Sequence, residues 1–303
     1  MAGVIEPDDI DWARYMQDAE PAAKVKSASL YADQVAAYFE AKGKPTGRVL
    51  PWTKTHSDIE LRPGEVTIWA GINGHGKSLL LGQVVLGLMA QGQRALIASF
   101  EMKPVQTLAR MCRQSSCGGA PSLQFIGDFH RWTDGKLWLY DQQGQVDPLR
   151  IVAVIRYARE TFKVQHVVID SLMKCVRGED DYNAQKDLVD VLTSIARDTG
   201  MHIHLVHHIR KKDDEEKPGG KFDLKGSGSI SDQADNVMIV WRNKRKQFDA
   251  QAGKPVEESH PDALLICEKQ RNGEWEGKIA LWFHGPSQQY VERLNGKPQG
   301  YAA

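Results

Sequence analysis

The residues Gly71-Ile-Asn-Gly-His-Gly76-Lys77-Ser78 fit the pattern G-x-x-x-x-G-K-[ST] at every defined position. Glycines at this spacing let successive backbone N–H groups converge on phosphate oxygens, and a helix starting at the last residues adds its dipole. Lys77 brings a point charge to the β- and γ-phosphates of a nucleoside triphosphate, and Ser78 brings an oxygen for Mg²⁺. Asn73, Gly74, His75 and Leu79 complete the candidate cradle. A glycine-rich turn alone would bind nothing. Here the apolar strand VTIWA precedes the motif and the apolar run LLLGQVVLGLMAQG follows it, the strand–loop–helix context that phosphate binding needs.

Two carboxylates stand at the ends of other apolar runs. Asp170 closes HVVID and is placed to hold the metal, although a strand-terminal Asp also serves as a helix N-cap. Glu101 follows ALIASF. A carboxylate there can orient and deprotonate an attacking water, but on chemistry alone it is equally a surface glutamate. The run HIHLVHH puts His202, His204 and His208 on one strand face by period-two counting, which invites a zinc reading. A metal on a central strand beside a phosphate loop is not expected, and core or switch histidines are the better reading.

The elements that must position these groups follow from the pattern. From Val66 onward, short apolar runs (VTIWAG, RALIASF, KLWLY, HVVID, HIHLVHH, NVMIVW) alternate with helical periodicity over 78–91, 104–114, 148–161 and 184–198. This describes an α/β fold with a mainly parallel central sheet flanked by helices. ALLICEKQ and GKIALWFHG, separated by RNGEWEG, predict an antiparallel hairpin at the C-terminal sheet edge. Ahead of this, residues 1–26 read as a polar, acidic tail or docking arm. Leu30, Val35, Ala36, Tyr38 and Phe39 mark one side of a helix over 28–41, and GKPTGRVLPW reads as a linker. The expected division is 1–48 for tail and linker helix and 49–303 for the main domain.

Composition sets limits. The chain has 303 residues, with 41 % hydrophobic and 26 % charged residues, enough for a sizeable core. Its formal net charge is zero, so any basic surface must be local. The four cysteines form no C-x-x-C pair, which argues for reduced thiols rather than a zinc ribbon or disulfide framework. The acidic start MAGVIEPDDIDW is no signal peptide, and no stretch reaches membrane-spanning length, so a cytoplasmic protein is expected.

Taken together, LRPGEVTIWAGINGHGKS, ASFEMKP, HVVIDSL, HLVHHIRKK, DLKGSGSISDQADNVMIVWRN and CEKQRNGEWEG resemble the motor domain of DnaB-type hexameric replicative helicases, phage and mitochondrial members included. The resemblance implies a RecA-like fold, a homo-hexameric ring, ATP hydrolysis with Mg²⁺ between subunits, and 5′-to-3′ travel on single-stranded DNA. By position, Gly76, Lys77 and Ser78 match the phosphate loop, Glu101 the catalytic glutamate and Asp170 the magnesium aspartate. His208 matches a polar residue that senses the γ-phosphate. Arg271 resembles the arginine finger and Lys269 its companion, both serving a neighbouring subunit. Without the resemblance, Lys269 and Arg271 would read as solvated hairpin charges.

The resemblance also makes 209–224 a DNA-binding loop, with Arg210, Lys211, Lys212, Lys217 and Lys221 as phosphate contacts, although Asp213 to Glu216 oppose some of them. Lys225, Gly226, Ser227 and Gly228 suit backbone contact with a sugar–phosphate chain. Arg242 is a candidate for packing on adenine and equally an exposed strand-end arginine. Primase, polymerase or a loader are the partners the resemblance suggests, and the helix over 28–41 would dock on an adjacent subunit. The same phosphate site would also serve a RecA/KaiC-type ATPase that assembles without unwinding, or a regulatory protein driven by ATP binding alone. KQRNG downstream of GSGSISDQAD favours the helicase.

Overall fold

The computed structural model of the chain describes residues 3–5, 10–15, 27–40, 47–176, 178, 181–209, 218–224 and 228–302. Among them a ten-stranded sheet runs through the domain in the order β1-β4-β3-β5-β6-β2-β7-β8-β9-β10. The strands are β1 (Gly3–Ile5), β2 (Val66–Gly71), β3 (Ala95–Ser99), β4 (Leu137–Tyr140), β5 (His166–Asp170), β6 (His202–His208), β7 (Asn236–Arg242), β8 (Ala263–Gln270), β9 (Gly277–His284) and β10 (Gln289–Val291). Pairings from β1 across to β7 are parallel, and those from β7 to β10 are antiparallel. This is the predicted mainly parallel sheet with its C-terminal hairpin, extended by one short strand at each edge.

Helices cover both faces, which explains why the central strands read as unbroken apolar runs. α3 (Lys77–Ala90), α4 (Pro104–Ser115) and α5 (Leu123–Thr133) lie over the face carrying Trp69, Ile97, Val168 and Val206. α6 (Pro148–Phe162) and α7 (Tyr182–Thr199) cover the face carrying Ile68, Leu96, Val167 and Ile203. Local chemistry sets their ends. Asp147 accepts the Leu149 N–H at 2.9 Å ahead of Pro148, and Asp181 accepts the Ala184 N–H at 3.0 Å. Gly200, with φ of +67°, closes α7 in the left-handed region. Buried leucines and valines such as Leu80, Val84 and Leu188 each contribute about 1.5–3 kcal/mol of apolar burial.

Two parts of the N-terminal reading change. β1 pairs in parallel with the β4 edge, Ile10 is buried in the core, and the Arg150 guanidinium lies 5.3 Å from the Trp12 ring centroid. The short α1 (Trp12–Tyr15) packs on α6, where Arg14 pairs with Glu160. These residues are therefore part of the domain rather than a loose tail. An otherwise open sheet edge and an uncovered patch of α6 supply what they bind to. Leu50 and Trp52, within the stretch read as a linker, are 1 % exposed, and Arg48 bridges to Leu61. The Trp52 indole donates to the Tyr290 carbonyl at 2.8 Å, which ties this segment to the C-terminal strand. The helix over 28–41 forms as a 3-10 turn, Ala28–Tyr31, leading into α2 (Ala32–Glu40). Leu30, Val35 and Phe39 are exposed on it.

Candidate nucleotide site and its links to the loop after β6

The phosphate loop connects β2 to α3 and depends on glycine at three places. A Cβ on Gly71 would run into the Val240 carbonyl oxygen, and Gly74 and Gly76 have φ of +78° and +85°. The Tyr290 hydroxyl would lie 2.5 Å from a Cβ on Gly76, so β10 closes the back of the loop. The Lys77 ammonium donates to the carbonyls of Gly71 and Ile72 at 2.9 and 3.1 Å. Burial pushes its pKa down to about 8, against the opposing pull of Asp170 and Glu101. Ser78 Oγ donates to Asp170 Oδ2 at 2.5 Å. Burial raises the Asp170 carboxyl and Glu101 adds to the rise. The Ser78 hydrogen bond, Lys77 and Arg110 oppose it.

Asn73, Gly74, Gly76, Lys77, Ser78, Leu79, Glu101, Asp170 and His208 line one open cleft of about 490 Å³ at the carboxyl ends of the parallel strands. That is where α/β sheets bind ligands. Arg110 and Gln288 line it too, and neither stands out in the sequence. Arg110 sits nine residues beyond Glu101 on α4, and Gln288 comes from the turn before β10. The Lys244 ammonium, 3.4 Å from where a Cβ on Gly74 would stand, is a further cation at the loop. Gly71 serves from beneath, through its carbonyl. His75 is buried and its Nδ1 accepts the Arg242 N–H at 3.2 Å, so its ring braces β7 instead of lining the cleft. Arg242 lays its guanidinium 5.1 Å from the Phe283 ring centroid.

The Ser78 and Asp170 oxygens lie together as hard donors, and Lys77 lines the same cleft. The donor set fits a nucleoside triphosphate with a divalent cation.

Lys269 and Arg271 lie elsewhere. The Lys269 ammonium donates to the carbonyls of Ser231, Asp232 and Ala234, each at 2.9 Å. Arg271 donates to the carbonyls of Asp232 and Gln233 at 2.9 and 3.3 Å and pairs with Asp235 at 3.3 Å. Both cations thus cap the C-terminus of α8 (Gly228–Gln233), whose last carbonyls lack helical partners.

Of the expected DNA contacts, Lys221 and Gly228 are described. Lys221 lies in a 3-10 turn, Lys221–Asp223, and Gly228 starts α8. Arg210, Lys211, Lys212, Lys217, Lys225, Gly226 and Ser227 lie outside the described residues. The turn is tied on two sides. Ile209, directly after His208, bridges to Leu224. The Lys221 N–H and ammonium donate to a carboxylate oxygen and to the carbonyl of Glu268, both at 3.3 Å.

The zinc reading of the histidines is not supported. His202 hydrogen-bonds Thr67 at 2.9 Å and the Arg62 carbonyl at 2.6 Å. His204 accepts from Trp69 at 3.1 Å and meets His166 at 3.1 Å. Burial holds all three below the usual histidine value, His202 at about 4. His208 stands apart in the cleft, and no metal-holding group of three or more His, Cys, Asp or Glu occurs among the described residues.

Fold and site together define a P-loop nucleoside triphosphatase with a RecA-like core. More specifically, the chain matches the DnaB-like helicase C-terminal domain over residues 59–292, and it belongs to that family. It is 23 % identical over 261 residues to the DNA helicase/primase of Enterobacteria phage T3, an alignment covering 79 % of this chain and 44 % of that protein. The chain therefore spans under half the length of that relative. Among solved structures, an isolated ATPase domain superposes with a TM-score of 0.73 at 16 % identity, covering 88 % of this chain and 99 % of the other. A DnaB-like replicative helicase, solved for its interactions with primase, superposes with a TM-score of 0.69 at 16 % identity, covering 88 % and 67 %. These two likenesses establish the fold.

Proposed function

We propose that this chain is the motor of an ATP-dependent replicative helicase that works in the cytoplasm as a homo-hexameric ring on single-stranded DNA. The observation that carries the reading is the convergence of Lys77, Ser78, Glu101, Asp170 and His208 on one cleft, with a cationic loop beginning two residues after His208. The Lys77 ammonium leaves the Gly71 and Ile72 carbonyls for the β- and γ-phosphates. Glu101 takes a proton from the attacking water. Ser78 and Asp170 would hold Mg²⁺, which would supply neutralising charge at the phosphate oxygens. His208 senses the γ-phosphate and passes its presence to Ile209 and the loop beyond. Residues 49–303, with β1 and α1 packed on their sheet edge and on α6, form the motor, and the helix over 28–41 docks on an adjacent subunit. Lys269 and Arg271 act in the neighbour's site, with Arg271 donating to transition-state phosphate oxygens. Primase, polymerase or a loader are the partners this reading points to.

Two assays test it together: ATP hydrolysis with and without single-stranded DNA, and displacement of an annealed strand. Stimulated hydrolysis with displacement supports the helicase. Stimulation without displacement indicates an ATPase that assembles on DNA, and hydrolysis indifferent to DNA contradicts both.

A further inference from the structure

Phe222 projects into solvent with 88 % of its surface exposed, matched among the large apolar residues described only by Leu123. Its backbone is held at several points. Within the 3-10 turn, the Gly220 N–H donates to Asp223 at 2.8 Å, and the Asp223 N–H donates to the Gly220 carbonyl at 3.0 Å. Leu224, two residues on, is buried and bridges to buried Ile209. Gly219 fits so closely that a Cβ there would lie 2.7 Å from the Ile209 side chain. Lys221 binds Glu268 through its backbone and its ammonium, and that ammonium lies 5.7 Å from the Phe222 ring centroid. A flat ring is thus carried outward on a fixed turn, with a cation at its side.

An isolated exposed aromatic flanked by charge is a poor core for a protein contact, where lysines are depleted. It is a good partner for a nucleobase, whose face stacks on any aromatic ring while the adjoining phosphate meets a lysine. We propose that Phe222 is a stacking platform for one base of the bound single strand, with Lys221 beside it for the backbone. This rests on the reading that the loop after β6 meets nucleic acid. The placement also gives the stacked base two routes into the machine. One runs through Leu224 and Ile209 to His208 in the cleft, where the Ile209 N–H donates to the Gly71 carbonyl at 3.3 Å. The other runs through Glu268 to Lys269, the next residue on β8.

The test uses the full chain, a non-hydrolysable ATP analogue and two single-stranded probes. One is an oligodeoxynucleotide carrying 2-aminopurine, and the other is the same backbone with abasic positions. Wild type is expected to quench the 2-aminopurine and to bind the base-bearing probe about tenfold more tightly than the abasic one. Phe222→Leu should lose the quench and that preference, while its affinity for the abasic probe and its salt slope stay as in wild type. Phe222→Trp should restore both. If Phe222→Leu keeps the preference and the quench, or if it weakens both probes equally because assembly is lost, the stacking role is wrong and Phe222 is a surface or subunit-contact residue. If wild type binds neither probe, the nucleic-acid reading of the loop fails, and the stacking role with it.

Discussion

Arg271 pairs with Asp235 at 3.3 Å, and the same buried carboxylate accepts the Val66 N–H at 2.9 Å. The residue proposed to act on a neighbour's phosphates is therefore held in its own chain, against the first residue of the strand that leads into its own phosphate loop. The Arg271 side chain is partly exposed, so this hold is weak, on the order of 1 kcal/mol or less. A triphosphate on an adjacent subunit would compete well for the guanidinium, with its fixed fork of donors. Moving Arg271 away would uncover carbonyls at the end of α8, the helix that starts at Gly228 beside the expected DNA contacts. The proposed DNA contact at Gly228 and the proposed finger Arg271 thus lie at the two ends of one short helix.

Lys77→Met should abolish hydrolysis and also stabilise the nucleotide-free chain. The folded pKa of Lys77 is depressed to about 8, so the charged form is disfavoured by folding. At pH 7 the lysine is charged in both folded and unfolded states and the penalty is fully present. It shrinks as pH rises from about 8 towards the unfolded value near 10.5. Thermal unfolding should show the variant more stable by on the order of 1–3 kcal/mol at pH 7, with the gap closing above about pH 10. ATP should raise the wild-type melting temperature and leave the variant's unchanged. A variant less stable at pH 7 would mean that the lysine's hydrogen bonds to Gly71 and Ile72 outweigh desolvation.

Glu101→Gln should bind nucleotide and fold normally while turnover falls by roughly 10²–10⁴, the loss typical of a general base. Single-turnover hydrolysis beside a nucleotide-binding titration separates the effects. Loss of binding together with fold would assign Glu101 a structural task.

Acid should weaken the domain through the buried histidines. His166, His202 and His204 have folded pKa values below the unfolded value near 6.5. Below about pH 6.5 the unfolded chain takes up protons that the folded chain refuses. Stability is therefore fully present above that pH and lost as pH falls towards the folded values, about 4 for His202. Unfolding free energies from urea titrations between pH 7 and pH 4 should fall by up to about 1.4 kcal/mol per pH unit for each histidine. His204→Gln should flatten the slope, and an unchanged slope would show that carboxylates dominate acid unfolding.

Much of the fold is legible in the sequence because buried parallel strands are short apolar runs, and a phosphate loop must be bracketed by strand and helix. Glu101 and Asp170 can be placed at strand ends from the pattern because the carboxyl edge is a consequence of topology. Several features leave no such trace. β1 is three residues long and is specified by the open edge of β4 rather than by its own pattern. α9 (Lys244–Gln251) buries no residue and depends on local bonds, such as the Lys246 N–H donated to Asn243 at 3.0 Å. Arg110 looks like one more charge on an amphipathic helix, yet α4 turns it into the cleft. The grip of Lys269 and Arg271 on α8 joins residues more than thirty apart, with no periodicity to announce it.

If the next subunit completes the catalytic site, as proposed, mixing two inactive variants should restore activity. Rings of Lys77→Ala alone lack the phosphate lysine, and rings of Arg271→Ala alone lack the finger, with turnover down on the order of a thousandfold. In a mixed ring, some junctions pair an intact Lys77 from an Arg271→Ala subunit with an intact Arg271 from a Lys77→Ala subunit. DNA-stimulated ATP hydrolysis should therefore reappear on mixing under conditions of subunit exchange, and should rise and fall with the mixing ratio. No recovery at any ratio, or full activity of Arg271→Ala by itself, would contradict a site shared between subunits.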